Sequence, residues 1–439
     1  MTGIQSLEAR TALGVVFAIA GFIAASSSAI HRLTARAFDR AANIAFILSR
    51  FAVFIAVFGF LHLPVRGDIP AFYVPEAHWL MQHELPYRDF ASSYAPLHTF
   101  LDAGLLLLWN SPIAIILFAI LVECLILPVW LRVARLFALE RAVRVAAVLY
   151  ITSAISLQFV TIDGQDNVVT AVLLGLGVVA IARQRDALSG ALVGLSSVLV
   201  KFLSMLFAPA FVFAARGWLR WLIGFAVVVL GGYGAFALMH LPILEPLSRE
   251  GGLRTASDLP YLLESIAGYT PPTVVEDGLL AIVLLILIAV MLRARIRARI
   301  DAPLLRLAVF GCSSLNLALL IFSKKSWPPY LVLTLFPLCL LLGEGGYRTL
   351  RLACFSLFNV VAVTTHSIWA TVFGQFLAEP FHQALFAHQR MAWVFLFTQI
   401  LLIAGYIWLL TESIDAMLSP TPSLPVSTPQ LDREALTKG

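Results

Sequence analysis

Between Arg66 and His98 the chain gathers Arg66, Asp68, Glu76, His78, His83, Glu84, Arg88, Asp89 and His98, with Tyr73, Tyr87 and Tyr94 among them, and apolar runs flank the stretch on both sides. Carboxylates, imidazoles, phenols and guanidinium groups are the side chains that move protons and hold hydroxyls and anions. Asp68 leads, in Gly67-Asp68-Ile69-Pro70. A carboxylate there is able to accept the proton of an attacking hydroxyl. A second role fits the same residues: Asp is a good helix N-cap, and proline suits a first helical turn. A cap alone does not account for Tyr87-Arg88-Asp89-Phe90, Tyr94 and Pro96 further along the same stretch.

Three other groups carry chemistry. Thr161-Ile162-Asp163-Gly164-Gln165-Asp166-Asn167 is rich in carboxylate and carboxamide, groups that hold sugar hydroxyls; Asp-Gly is also a plain turn dipeptide, and Asp166 or Asn167 also suits a cap. Lys201 closes a glycine-bearing apolar run that starts at Gly190. A lone lysine among apolar residues marks a functional site by default, such as a contact to an anionic lipid phosphate, or else it snorkels to the surface. Ser323-Lys324-Lys325-Ser326-Trp327-Pro328-Pro329-Tyr330 pairs two cations with aromatic residues. Such lysines stabilise a departing phosphate, while Trp327 and Tyr330 equally suit an aromatic belt at a membrane surface.

The elements that must position these groups are membrane spans. The sequence is 60% hydrophobic and 13% charged, with a mean hydropathy of +0.91. That composition predicts an all-α, polytopic helical bundle of about 11–13 spans. Apolar runs lie near 11–30, 42–63, 111–131, 143–161, 167–182, 187–200, 202–215, 218–239, 278–292, 303–322, 329–343, 350–372 and 391–411. The runs 187–200 and 202–215 are short for a crossing and suggest a tilted or re-entrant hairpin. Residues 97–110 fit a helix lying along the surface. The first run is expected to be an uncleaved span, since Arg10 is balanced by Glu8 and further spans follow.

Most of the 30 Lys and Arg residues fall in or beside alternate short loops, 31–41, 132–142, 183–186, 216–217, 293–302 and 344–349, and in the tail from 412. The positive-inside rule places those loops in the cytoplasm. The stretches 64–100, Asp163–Asp166, the Lys201 turn, His240–Asp277, Ser323–Pro328 and Gly374–Arg390 then face outward, with most of the nine histidines. Two domains result: a membrane domain, 1–411, and a Pro/Ser/Thr-rich cytoplasmic tail, 412–439, expected to be disordered. The four cysteines lie in apolar runs without metal-ligand spacing, and no nucleotide-binding motif is present. Neither a metal nor another cofactor is expected, and the net charge of +5 gives no reason to expect nucleic acid.

Gly67-Asp68, Tyr73, Leu85-Pro86-Tyr87-Arg88-Asp89-Phe90 and Tyr94-Ala95-Pro96-Leu97, followed by the Gly164-Gln165-Asp166-Asn167 turn, the Gly190–Lys201 helix and Ser323–Tyr330, resemble motifs of the GT-C superfamily of membrane glycosyltransferases. The nearest group is the polyprenyl-phosphate-mannose-dependent mannosyltransferases (glycosyltransferase family 87-like). The resemblance covers about Val65 to Tyr330. It departs from the usual pattern at Glu84, where glycine often stands, and in having two spans before the first motif.

The resemblance implies an inverting hexosyltransferase of the bacterial cytoplasmic (inner) membrane, its active site facing the periplasm or exterior and built from external loops and interfacial helices. The donor is a polyprenyl-phosphate sugar, mannose-type by the nearest group, and the acceptor a glycan or lipid. Asp68 is the expected base, and Lys201, Lys324 and Lys325 the expected donor-phosphate contacts. Substrate contacts are expected from Arg66, Tyr73, Tyr87, Arg88, Asp89, Tyr94, His98, Gln165, Asp166, Asn167, Trp327 and Tyr330. The rival reading is a secondary transporter or lipid flippase with Arg50 and Lys201 lining a path at mid-membrane. A non-catalytic subunit of a cell-envelope complex is a third.

Overall fold

The computed structural model describes residues 3–247, 253–298, 301–344, 348–374 and 378–419. They form an all-α polytopic bundle, and among them the only β-type pairing is an isolated bridge between Pro86 and Phe90. Nine helices among the described residues are long and apolar enough to cross a membrane: Leu7–Ser26, Ala35–Phe60, Ile113–Ala134, Glu140–Ile162, Trp218–Leu238, Thr273–Arg297, Ala302–Phe322, Thr349–Phe373 and Arg390–Leu418. The other four expected runs appear as shorter helices, Asn167–Ala182, Asp186–Leu199, Phe202–Ala214 and Pro328–Gly343. The surface helix expected at 97–110 is His98–Leu108.

The helix Ala302–Phe322 is buried from Leu304 to Ile321. Ser313 and Ser314 on it donate to the Val309 and Phe310 carbonyls one turn back, and Asn316 donates to the Tyr330 carbonyl at 2.9 Å. Trp218–Leu238 and Thr273–Arg297 are mostly exposed apolar surface, as expected of helices facing lipid.

Several boundaries differ from the sequence reading: the first helix is Gly3–Ser26 against 11–30, and Thr273–Arg297 runs past 278–292 at both ends. The second span starts at Ala35 because Thr34 caps it, its hydroxyl accepting from the Ala37 amide at 3.3 Å. The last helix continues to Leu418, held by Glu412 accepting from Arg351 at 2.7 Å and by the Ala416 carbonyl accepting from Arg306 at 3.1 Å. The expected tail therefore begins past Leu418, and residues 420–439 lie outside the described residues.

Polar contacts sort into two opposite ends of the bundle. At one end Arg135 pairs with Asp39 and Glu140, Arg144 donates to the Ile30 and Leu33 carbonyls, Asp186 accepts from the Gly217 amide, and Arg306 pairs with Glu344. At the other, Arg10 pairs with Asp163, Lys201 with Asp166, Lys324 with Asp277, and Arg254 with Glu264 and Glu276. The two groups match the alternation of arginine-rich and arginine-poor loops in the sequence. Between them lies Arg50. Its side chain is fully buried, paired with Glu123 at 3.2 Å and donating to the Tyr150 and Ile151 carbonyls and to Ser156. Tyr150 and Ser156 donate to the same carboxylate, which closes the network.

Candidate active site

The site is assembled by a helical hairpin of matched arms. Asn167–Ala182 and Asp186–Leu199 have 16 and 14 residues and are joined by a tight turn in which Gln184 takes a positive φ of 58°. At 1.5 Å per residue the arms rise about 24 and 21 Å, short of the roughly 30 Å hydrocarbon core. Arms of similar length leaving one turn bring their far ends level. Those ends are Asp166 and Lys201, and the Lys201 Nζ lies 3.1 Å from Asp166 Oδ1. The pair is largely buried, with 14% of the Lys201 and 10% of the Asp166 side chain exposed.

The chain returns from Lys201 through Phe202–Ala214, and the Asp186 carboxylate accepts from the Gly217 amide at 2.7 Å, pinning the opposite end. Glycines let the hairpin pack closely on Trp218–Leu238. A Cβ on Gly190 would lie 2.0 Å from the Trp221 carbonyl oxygen, and one on Gly224 would lie 1.9 Å from that of Ala187. Small residues at a helix interface permit this approach of backbones. The glycine-rich run before Lys201 is therefore a packing device that fixes where the lysine stands.

The polar stretch from the sequence folds down onto this hairpin. The amides of Ala95 and Leu97 donate to the carbonyls of Val200 and Val198, at 3.2 and 3.0 Å, and bind the loop beside Lys201. Glu76 anchors it from within, accepting from Ser92 at 2.7 Å and Thr99 at 3.2 Å. Tyr94 stacks on His98 with ring centroids 4.3 Å apart, and Tyr73 meets both rings edge-on. The Lys201 ammonium sits 5.4 Å from the Tyr94 ring centre and 5.5 Å from that of Tyr330, inside cation–π range.

Asp68 precedes a wide, π-helical turn, Ile69–Tyr73, but makes no side-chain cap. Instead its Oδ2 accepts from Gln165 Nε2 at 3.0 Å. Asn167 in turn donates to Gln165 Oε1 at 3.3 Å and to the Pro329 carbonyl at 3.5 Å. A positive φ of 64° at Gly164 turns the chain here, and a Cβ would strike Ile69 at 2.6 Å, so this turn and the Asp68 turn pack directly. Asp68 is half-buried and open to a ligand. The first loop, the Gln165 turn and the first turn of Pro328–Gly343 are thus joined by hydrogen bonds, and the Lys201 turn is joined to them through Asp166 and the Tyr330 ring.

The electrostatics follow from the pairing. Burial works against the Asp166 charge, but Lys201 and His98 outweigh it and hold the carboxyl at about 2. Burial likewise opposes the Lys201 charge, and Asp166, with Asp68 adding, holds it above the usual lysine range. His98 Nε2 lies 3.0 Å from Asp166 Oδ2, and its Nδ1 lies 3.3 Å from Asp102 Oδ2. Burial pushes Asp102 up to about 7, with His98 opposing. Burial also raises Asp163, against Arg10 at 3.4 Å and the amide of Gln158 at 2.7 Å.

Several expected contacts are placed otherwise. His98 is 2% exposed behind Tyr94, with both ring nitrogens facing carboxylates, so it does not present itself to a substrate. Tyr87 is buried against Phe236, and its hydroxyl donates to the Tyr94 carbonyl at 2.5 Å; a positive φ of 69° makes it a turn residue. Arg88 and Asp89 are exposed and grip each other at 2.7 Å, and Asp89 accepts from the Leu85 amide at 2.8 Å, bracing the loop tip. Lys324 is buried and paired with Asp277 at 2.7 Å, in a strap where Thr255 bonds Lys324 and Ser326. Lys325 is half-buried beside it, and Trp327 packs on Trp369 at 4.6 Å. Arg66 is exposed, two residues before Asp68.

Two residues at the site escape sequence reasoning. Arg10 reads as the one basic residue of a leader-like segment, balanced by Glu8, yet it binds Asp163 and ties the first helix to the turn carrying Gln165. Asp102 sits in a run of leucines, four residues after His98. The i,i+4 spacing of a histidine and an aspartate in an apolar helix was the available signal. No protein-family model matches the chain, and no curated protein matches it either.

Proposed function

We propose that the protein is a polyprenyl-phosphate-sugar-dependent glycosyltransferase of the GT-C type, acting in a bacterial cytoplasmic membrane with the Asp68 end of the bundle facing outward. The observation that carries this reading is the meeting of Asp68 with Gln165, beside the Asp166–Lys201 pair, at one end of the bundle. A half-buried carboxylate oriented by a carboxamide suits a general base. A lysine ammonium held charged a few side chains away suits a lipid phosphate.

In the reaction the acceptor hydroxyl oxygen attacks the anomeric carbon and gives its proton to Asp68. The bond from that carbon to the phosphate oxygen breaks as the new glycosidic bond forms, inverting the centre. Polyprenyl phosphate leaves with the bond's electron pair, and Lys201 stabilises its charge. Mannose is the proposed sugar and a glycan or lipid the proposed acceptor, on the sequence resemblance alone. Lys324 is taken out of the direct donor contacts by its pairing with Asp277.

The transporter reading needed Arg50 beside a path across the membrane. Arg50 is fully buried in a closed network with Glu123, which supports a structural role for it. The test is to supply purified protein with labelled polyprenyl-phosphate sugars and candidate acceptors. Transfer from a mannosyl donor is the expected result. Absence of transfer from every such donor, with import or flipping of a lipid in vesicles, would replace this reading with the rival one.

A further inference from the structure

Asp166 is flanked by two basic side chains of different kinds. Lys201 approaches Oδ1 at 3.1 Å and keeps 14% of its side chain exposed. His98 approaches Oδ2 at 3.0 Å from inside the protein and is 2% exposed. The lysine ends a flexible four-carbon stem. The imidazole is fixed in plane by Tyr94 stacked on it and by Tyr73 against its edge, and Asp102 faces its second nitrogen. One basic group ends a flexible stem, and the other is built in.

We propose that His98, oriented by Asp102, is the standing counter-charge of Asp166, which frees Lys201 to exchange that carboxylate for an anionic oxygen of a bound phosphate. This deepens the transferase reading and rests on it for the identity of the ligand. Without His98, moving Lys201 away would strand a buried carboxylate, an arrangement that strongly disfavours the move. With His98 in place, Asp166 keeps a partner throughout and Lys201 changes anions at little cost. The groups facing His98 are Asp102 on its own helix, Asp166 before Asn167–Ala182, Lys201 after Asp186–Leu199, and Tyr73 and Tyr94 from the loop. His98 and Asp102 are positioning residues, since they act through Asp166 and Lys201.

The test measures binding of a short-chain polyprenyl phosphate to purified full-length protein, with the corresponding polyprenol as the control lacking phosphate. His98→Gln should weaken phosphate binding about tenfold, within the usual range of coupling between sites, and leave polyprenol binding unchanged, with the unfolding midpoint lowered by the buried carboxylates it uncovers. Lys201→Ala should remove the preference for phosphate over alcohol. The double variant should bind no worse than Lys201→Ala, because His98 acts only through the lysine. Asp102→Asn, which keeps size, should show a smaller loss of the same kind and serves if His98→Gln fails to fold. Unchanged phosphate binding in the folded His98 or Asp102 variant, or additive losses in the double variant, would overturn the inference and leave the transferase reading standing. No preference for phosphate in the wild type would overturn both. Coupled phosphate binding without sugar transfer would keep the inference and remove the transferase.

Discussion

At the scale of residues, Asp68 and Gln165 are 97 positions apart in sequence and 3.0 Å apart in space. Both stood out in the sequence because polar residues interrupting apolar runs are expensive and so have reasons to be there. What each one touches was not legible. Lys201 read as a phosphate ligand or a snorkelling surface residue, and it stands largely buried against Asp166. Lys324 read as its equal and is instead fastened to Asp277. The two lysines should therefore separate. Lys201→Ala loses a charge-assisted contact of about 1.5–3 kcal/mol and should raise the donor KM about tenfold or more. Lys324→Ala should leave donor KM within about twofold and quicken proteolysis in the segment 253–277, as expected when a strap gains local opening. Donor titrations and limited proteolysis of both variants decide it.

At the scale of elements, the decisive unit is the hairpin Asn167–Leu199 and its packing on Trp218–Leu238. The apolar runs were plain in the sequence, but the short runs 187–200 and 202–215 suggested the hairpin there, whereas the one that carries the site pairs Asn167–Ala182 with Asp186–Leu199. The purpose of the glycines was not legible, because a glycine's need for close approach depends on a neighbouring backbone that the sequence does not display. Gly190→Leu forces a side chain against the Trp221 carbonyl, a backbone atom that cannot rotate aside. Overpacking of this kind costs about 1–3 kcal/mol where neighbours can shift, and the fixed backbone puts Gly190→Leu at or beyond the upper limit. Gly231, on the same Trp218–Leu238 helix, has nothing near its Cβ position, so Gly231→Ala should be neutral. Size-exclusion recovery and thermal unfolding in detergent should show Gly190→Leu largely misfolded and Gly231→Ala like the wild type.

At the scale of the whole molecule, the alternation of arginine-rich loops anticipated which segments meet. Asp39, Arg135 and Glu140 join at one end, and Arg10, Asp163, Asp166 and Lys201 gather at the other. The register of the last helix was less legible, because Glu412 and Asp415 look like the start of a polar tail until Arg351 and Arg306 are seen holding that segment. The proposed orientation has a direct check. In a cysteine-free background, Ala91→Cys and Gln184→Cys both place a thiol at an exposed position. A membrane-impermeant reagent added to intact cells should label the first, and should label the second only after permeabilisation. Labelling in the reverse order would put Asp68 on the cytoplasmic side and remove the lipid-linked donor from reach.

The central claim is that Asp68 takes the acceptor's proton. Asp68→Asn preserves size and can still accept from Gln165, so the site should keep its shape. Transfer of labelled mannose from a polyprenyl-phosphate donor, measured on purified wild-type and Asp68→Asn protein and normalised to folded material, tests that claim most directly. Loss of proton acceptance should lower kcat about 10²–10⁴-fold, with donor KM and the unfolding midpoint little changed. Wild-type turnover in folded Asp68→Asn protein would contradict the account, and would leave Asp68 a structural partner of the Gln165 turn.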